Sequence, residues 1–192
     1  MRMLIAMLAT LSLLACNRET AAEASSAAPA GGPPAITFDG DAVDIAYGGQ
    51  RLRGETRDSG KRKYTVDGGA VSYEIKPNEE GGFKLRTAGG KLLWKVKVTA
   101  DKVKISNNEE NENPFELKVR DGNRVKVVAP GDKELGNVRF DGAKVDVEDA
   151  AGQTRFTIAS AKPAGAYGVL LLDAIPQQER VILIAELLSR GR

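Results

Sequence analysis

Histidine is absent from this sequence, and cysteine occurs once, at position 16. The first absence removes the commonest general base and metal ligand. The second rules out an internal disulfide. Aromatic residues make up 5% of the chain, too few to build a stacking platform for bases, so nucleic acid is not an expected partner. The net charge of +2 is near balance and implies neither nucleic acid nor strong membrane attraction by itself. No apolar run approaches the roughly twenty residues that a membrane-spanning helix needs. No serine lies in a G-x-S-x-G setting. RDSGKRK, at 57–63, has a Gly-Lys pair but neither the glycine spacing nor the hydroxyl of a phosphate-binding loop. Two acidic groupings, Asp39/Asp41/Asp44 and Asp141/Asp146/Asp149, lack the spacing and closing Glu of a calcium loop and read as turn and strand-edge residues. No catalytic, cofactor-binding or metal-binding residue is expected, and no cofactor.

What is present begins at the N-terminus. Arg2 precedes an apolar stretch, Met3 to Leu14, of the length of a secretion signal. It ends in Leu13-Leu14-Ala15-Cys16, which resembles a bacterial lipobox. The resemblance implies cleavage before Cys16 and a lipid on its sulfur, which accounts for the lone thiol. Lipidation at Cys16 makes the membrane the first expected partner. Asn17, in place of Asp, implies the outer membrane facing the periplasm by the sorting rule of enterobacteria. Residues 1–15 are thus read as a lipoprotein signal peptide. Residues 16–34, rich in Ala, Ser, Gly and Pro, are read as a flexible tether.

From residue 35 the dominant period is two. Leu92, Trp94, Val96 and Val98 alternate with Leu93, Lys95, Lys97 and Thr99. Val103/Ile105, Phe115/Leu117/Val119, Val125/Val127, Val145/Val147, Phe156/Ile158 and Val71/Tyr73/Ile75 alternate with polar neighbours in the same way. This is the pattern of strands with one buried and one wet face. Asp-Gly at 39, 67, 121 and 141 and Gly-Gly at 48, 81 and 89 are turn dipeptides. Tyr73-Glu-Ile-Lys, Phe83-Lys-Leu-Arg and Phe115-Glu-Leu-Lys form a weak repeat. NNEENENP, Asn107 to Pro114, reads as a long mobile polar loop.

The period changes near the end. Ala166 to Ala174 is a short apolar run, a helical turn or a last strand. A helix is expected over about 176–189, with Asp173 standing where a cap would and Pro176 in the first turn. Its core, VILIAELL at 181–188, has almost no polar side. A helix apolar all round is buried all round. Three placements remain: threaded through a curved or closed barrel, packed on an open sheet, or held in an oligomer interface.

Many hairpins, the run KLLWKVKVTADKVKI from Lys91 to Ile105 and the ending LLLDAIPQQERVILIAELL from Leu170 to Leu188 together resemble the tubby-like superfamily, which includes the phospholipid scramblases and LURP-one-related proteins. The resemblance implies a mainly β domain over 35–192: an antiparallel β-barrel of about twelve short strands around a hydrophobic C-terminal α-helix. The lipobox and tether depart from usual members, and none of the family's calcium or phosphoinositide residues can be placed here.

One surface stands out. Lys84, Arg86, Lys95, Lys97, Lys102, Lys104, Lys118, Arg120, Arg124 and Lys126 all fall on outward positions of consecutive predicted strands. Neighbouring strands would merge them into one face able to meet an anionic lipid, a glycolipid or an acidic envelope protein. Solubility and edge protection are the plainer use of such lysines. Three functions stay open: a non-catalytic envelope binding or structural module, a binder of anionic lipid or glycolipid head groups, and, with least support, an enzyme with an unrecognised carboxylate site.

Overall fold

The computed structural model describes residues 31–78 and 81–192. The signal peptide, Cys16 and all of the tether up to residue 30 lie outside the described residues. Pro34, at the tether's end, is buried.

Thirteen strands follow one another in a single meander: β1 (Ala35–Asp39), β2 (Ala42–Tyr47), β3 (Gln50–Thr56), β4 (Arg62–Val66), β5 (Val71–Pro77), β6 (Phe83–Thr87), β7 (Leu92–Val98), β8 (Lys102–Ser106), β9 (Phe115–Asp121), β10 (Arg124–Ala129), β11 (Lys133–Phe140), β12 (Lys144–Asp149) and β13 (Thr154–Ala159). Every neighbouring pair is antiparallel. The turns are those the dipeptides demand. Gly48 and Gly49, with φ of 51° and 79°, form the two-residue loop between the paired residues Tyr47 and Gln50. That mirror-image turn matches the strand twist, and glycine enters it at no steric cost.

The inward face is apolar and continuous. Val43, Ile45, Leu52, Tyr64, Ile75, Phe83, Leu85, Val96, Ile105, Leu117, Val127, Val145 and Val147 are all essentially inaccessible to water. Gly54 belongs to the same face. A Cβ there would lie 2.6 Å from the Tyr64 ring and 2.8 Å from Val43, so the small residue makes room for the ring.

The sheet curls around the chain's last elements. A 3-10 turn, Gly165–Leu171, fills the place of the predicted apolar run. Gly168 lets it approach the sheet, since a Cβ there would meet Val127 at 2.8 Å. Helix α1 (Gln177–Ser189) follows, with Val181 to Leu187 buried. Pro176 precedes the helix rather than entering its first turn, and Asp173 does not cap it. Asp173 instead pairs with Arg180 at 2.8 Å.

The sheet is not closed. β1 and β13 are not hydrogen-bonded to one another. Parity gives a physical reason. In a meander of thirteen antiparallel strands the first and last run the same way, so closure would need a parallel pair. The side chains facing inward at these edges, Ile36, Phe156 and Ile158, are only partly covered, and Phe38 is 47% exposed.

Candidate functional site

The predicted basic residues lie on β6 to β10, which are consecutive neighbours in the sheet. The register sets cations opposite one another: Lys84 faces Lys95, Lys97 faces Lys104, and Lys102 faces Lys118, which also faces Lys126. Like charges so placed repel, at a cost of a few tenths of a kcal/mol or more.

Carboxylates offset most of this. Glu109 reaches Lys84 at 2.6 Å, Arg86 at 3.1 Å and Lys95 at 3.8 Å. The Lys84 ammonium, hydrogen-bonded to it, draws the Glu109 carboxyl below the usual range. Glu116 bridges Lys104 at 3.3 Å and Lys118 at 2.9 Å. Asp132 adds a second partner to Lys118 at 2.9 Å, and Glu134 holds Lys126 at 2.6 Å. Arg124 stands 3.9 Å from Asp121. Among the described residues, Lys97, Lys102 and Arg120 have no ion pair. Among the described residues the face is therefore a lattice of alternating charge with three cations outside any ion pair, not one uniform positive field.

Glu109 comes from the loop expected to be long and mobile. The loop carries hydrogen bonds of its own. The Ser106 hydroxyl donates to Asn111 Oδ1 at 2.7 Å. Asn108 Nδ2 donates to the Glu112 carbonyl at 2.9 Å, and the Glu112 amide donates to Asn108 Oδ1 at 2.8 Å. Asn111 and Asn113 take positive φ, which asparagine tolerates better than most residues.

The two acidic groupings are spread through turns and ladders. Asp141 Oδ1 accepts from the amides of Ala143 and Lys144, and Asp149 Oδ1 accepts from those of Ala151 and Gln153. Asp146 holds Lys144 and Thr157, and Asp44 holds Arg53. The lone pairs of Asp44, Asp141, Asp146 and Asp149 thus serve the fold.

Sequence reasoning missed the most buried charge. Glu186 sits inside the apolar run of α1 with its side chain 2% exposed. Its Oε1 accepts from Arg62 Nη1 at 2.8 Å and from the Tyr64 hydroxyl at 2.7 Å. Its Oε2 accepts from Arg190 at 2.6 Å. The Arg190 guanidinium also lies 4.5 Å from the centroid of the Phe83 ring and donates to the Glu186 carbonyl. Burial, then the Glu186 charge, pushes the Tyr64 hydroxyl well above its ordinary pKa. The one available signal was a single Glu inside an otherwise greasy helix, four residues before an Arg.

The other end of α1 is pinned by neutral groups and one acid. The Tyr73 hydroxyl donates to Gln178 at 2.8 Å, Gln178 donates to Gln50 at 3.2 Å, and the Trp94 indole donates to Glu179. The helix is thus apolar in the middle and hydrogen-bonded to strands at both ends. No family model matches this chain, and no curated protein or solved structure matches it, so its function must be argued from its own side chains.

Proposed function

We infer that this chain is a lipid-anchored cell-envelope protein, held in the outer membrane through Cys16, whose β domain is a non-catalytic binding or structural module. The observation that carries the reading is the commitment of its charged side chains. The outward cations are matched mostly to carboxylates, the turn acids to backbone amides, and the buried Glu186 to three donors. Such groups are already engaged in holding the fold. The tubby-like, barrel-type reading is supported by the greasy helix inside a curled meander, while the open seam between β1 and β13 departs from a closed barrel. The lipobox supports the location. The test is metabolic labelling with palmitate, followed by separation of inner and outer membranes. Label on the wild type, absent from Cys16→Ser, is the expected result. Labelling that survives the substitution removes the anchor from the proposal.

A second reading has one observation in its favour. Cross-strand lysines repel each other, and Lys97, Lys102 and Arg120 lack intramolecular partners among the described residues. An anionic lipid or glycolipid head group would relieve both, at about 1 kcal/mol per cation close to a charged surface. Flotation of residues 35–192 with anionic and zwitterionic vesicles separates the readings. Salt-sensitive binding to anionic vesicles alone favours the second, and binding to neither favours the first.

A further inference from the structure

The sheet and the C-terminal end of α1 part where the β9–β10 hairpin meets Gly191 and Arg192, and a cleft opens there. Val103, Leu117, Val125, Val138 and Phe140 line it from the sheet, and Ala164 lines it from the segment before the 3-10 turn. Val119 lies at its lip and is 43% exposed, although its strand alternation would turn it inward. A register shift between Arg124 and Val125 on the neighbouring strand breaks the pattern beside it. Three cations stand at the mouth: Lys102, Arg124 and Arg192. Lys102 has no ion pair among the described residues. Arg124 is 3.9 Å from Asp121, beyond hydrogen-bond length. Arg192 donates to the Ala100 carbonyl at 3.3 Å and has no ion pair with another side chain among the described residues.

Apolar walls with a few convergent polar groups make the usual pattern of a small-molecule site. Size decides the class. The cleft holds about 140 Å³. An apolar cavity of about 150 Å³ stays dry and admits benzene. The enclosed part has room for one ring or a short branched chain. Charge decides the rest. Three cations favour an anion, while the Asp121 carboxylate at the same mouth favours a singly charged acid over a phosphate dianion.

We propose that this cleft binds a small amphipathic carboxylic acid, with its apolar body between the sheet and the chain's end and its carboxylate at the rim formed by Lys102, Arg124 and Arg192. The proposal does not rest on the lipid anchor.

The test uses the full chain in zwitterionic nanodiscs, with methyl NMR signals of Val103, Leu117 and Val119 as the readout. The probes are phenylacetate, benzyl alcohol and acetate. Phenylacetate should shift these signals saturably, with a Kd on the order of 1 mM. Benzyl alcohol should bind several-fold more weakly, and acetate should leave the signals in place. Lys102→Gln with Arg192→Gln should weaken phenylacetate about fivefold or more and leave benzyl alcohol unchanged. Ala164→Leu fills the cleft and should abolish both. Val119→Asp, at the exposed lip and away from the core, should abolish phenylacetate binding if the leucine variant does not fold. No saturable shift by phenylacetate overturns the proposal. So does phenylacetate affinity that neither the rim nor the lip substitution lowers.

Discussion

Replacing Glu186 with alanine would leave Arg62 and Arg190 facing the core end of the helix without a counter-charge. Their side chains are 16% and 24% exposed, so water compensates each only in part. Breaking a buried pair by removing one partner costs about 3–5 kcal/mol, and partial exposure places this case near the lower figure. Chemical denaturation of Glu186→Ala should therefore show a loss of about 3 kcal/mol. Arg62→Ala should lose less, because Arg190 and Tyr64 still satisfy the carboxylate. The four tyrosines supply a second check. Burial raises the pKa of Tyr47 to about 12, and it raises those of Tyr64, Tyr73 and Tyr167 as well. A hydroxyl whose folded pKa exceeds its unfolded value favours folding below the unfolded pKa, and that contribution fades as pH rises through the folded one. Tyrosinate absorbance should stay low through pH 10 and then rise together with the loss of circular dichroism. Normal titration of several tyrosines near pH 10 in the folded state would contradict the burial.

At the scale of the element, α1 owes its stability to its surroundings. The sequence 181–188 has good helix formers and β-branched residues alike, and a 13-residue helix is marginal alone in water. The curled sheet supplies what the helix lacks. Leu183→Asp places an unpaired charge where exposure is zero, and the domain should unfold. Native circular dichroism with an unchanged melting temperature would exclude central burial. The edge strands are the opposite case. β1 carries one charge, Asp39, has no proline or lysine, and exposes Phe38, so it has few of the devices that discourage sheet-to-sheet pairing. Phe38→Lys should reduce light scattering on partial heating without lowering the melting temperature. Scattering equal to that of the wild type would place the association surface elsewhere.

For the whole molecule, charge pairing matters more than net charge. Hydrogen bonds and cations draw Glu109, Glu134, Asp132, Asp141 and Asp146 below their ordinary values: Lys84 for Glu109, Lys126 for Glu134, Lys118 for Asp132, the Ala143 amide for Asp141 and Lys144 for Asp146. Depressed carboxylates stabilise the fold above their unfolded pKa, and the contribution is lost as pH falls through the folded one. The melting temperature should hold down to about pH 5 and fall steadily below about pH 4, where the lysine ladders lose their counter-charges. These groups are exposed, so the fall should be gradual, and moderate salt should soften it. A melting temperature flat down to about pH 2 would mean that the ion-pair lattice contributes nothing.

Period-two alternation, Asp-Gly and Gly-Gly turns and the all-apolar run at 181–188 by themselves determined a β meander with a helix that something must surround. These are local signals: a strand's two faces and a turn's φ angles are written within a few residues. The same pattern placed the ten cations on neighbouring strands, because a meander keeps sequence neighbours adjacent. What those cations touch was not legible. Glu109 meets Lys84 and Lys95 only because a polar loop folds back over β6 and β7, and Glu186 meets Arg62 across more than a hundred residues of chain. Strand count was nearly readable, yet one extra strand changes its parity, and parity sets whether the two edges meet antiparallel. The cleft beside Val119 depends on a register shift, two loops and the end of a helix arriving together. Alternation carries no term for such meetings, and tertiary structure alone decided them.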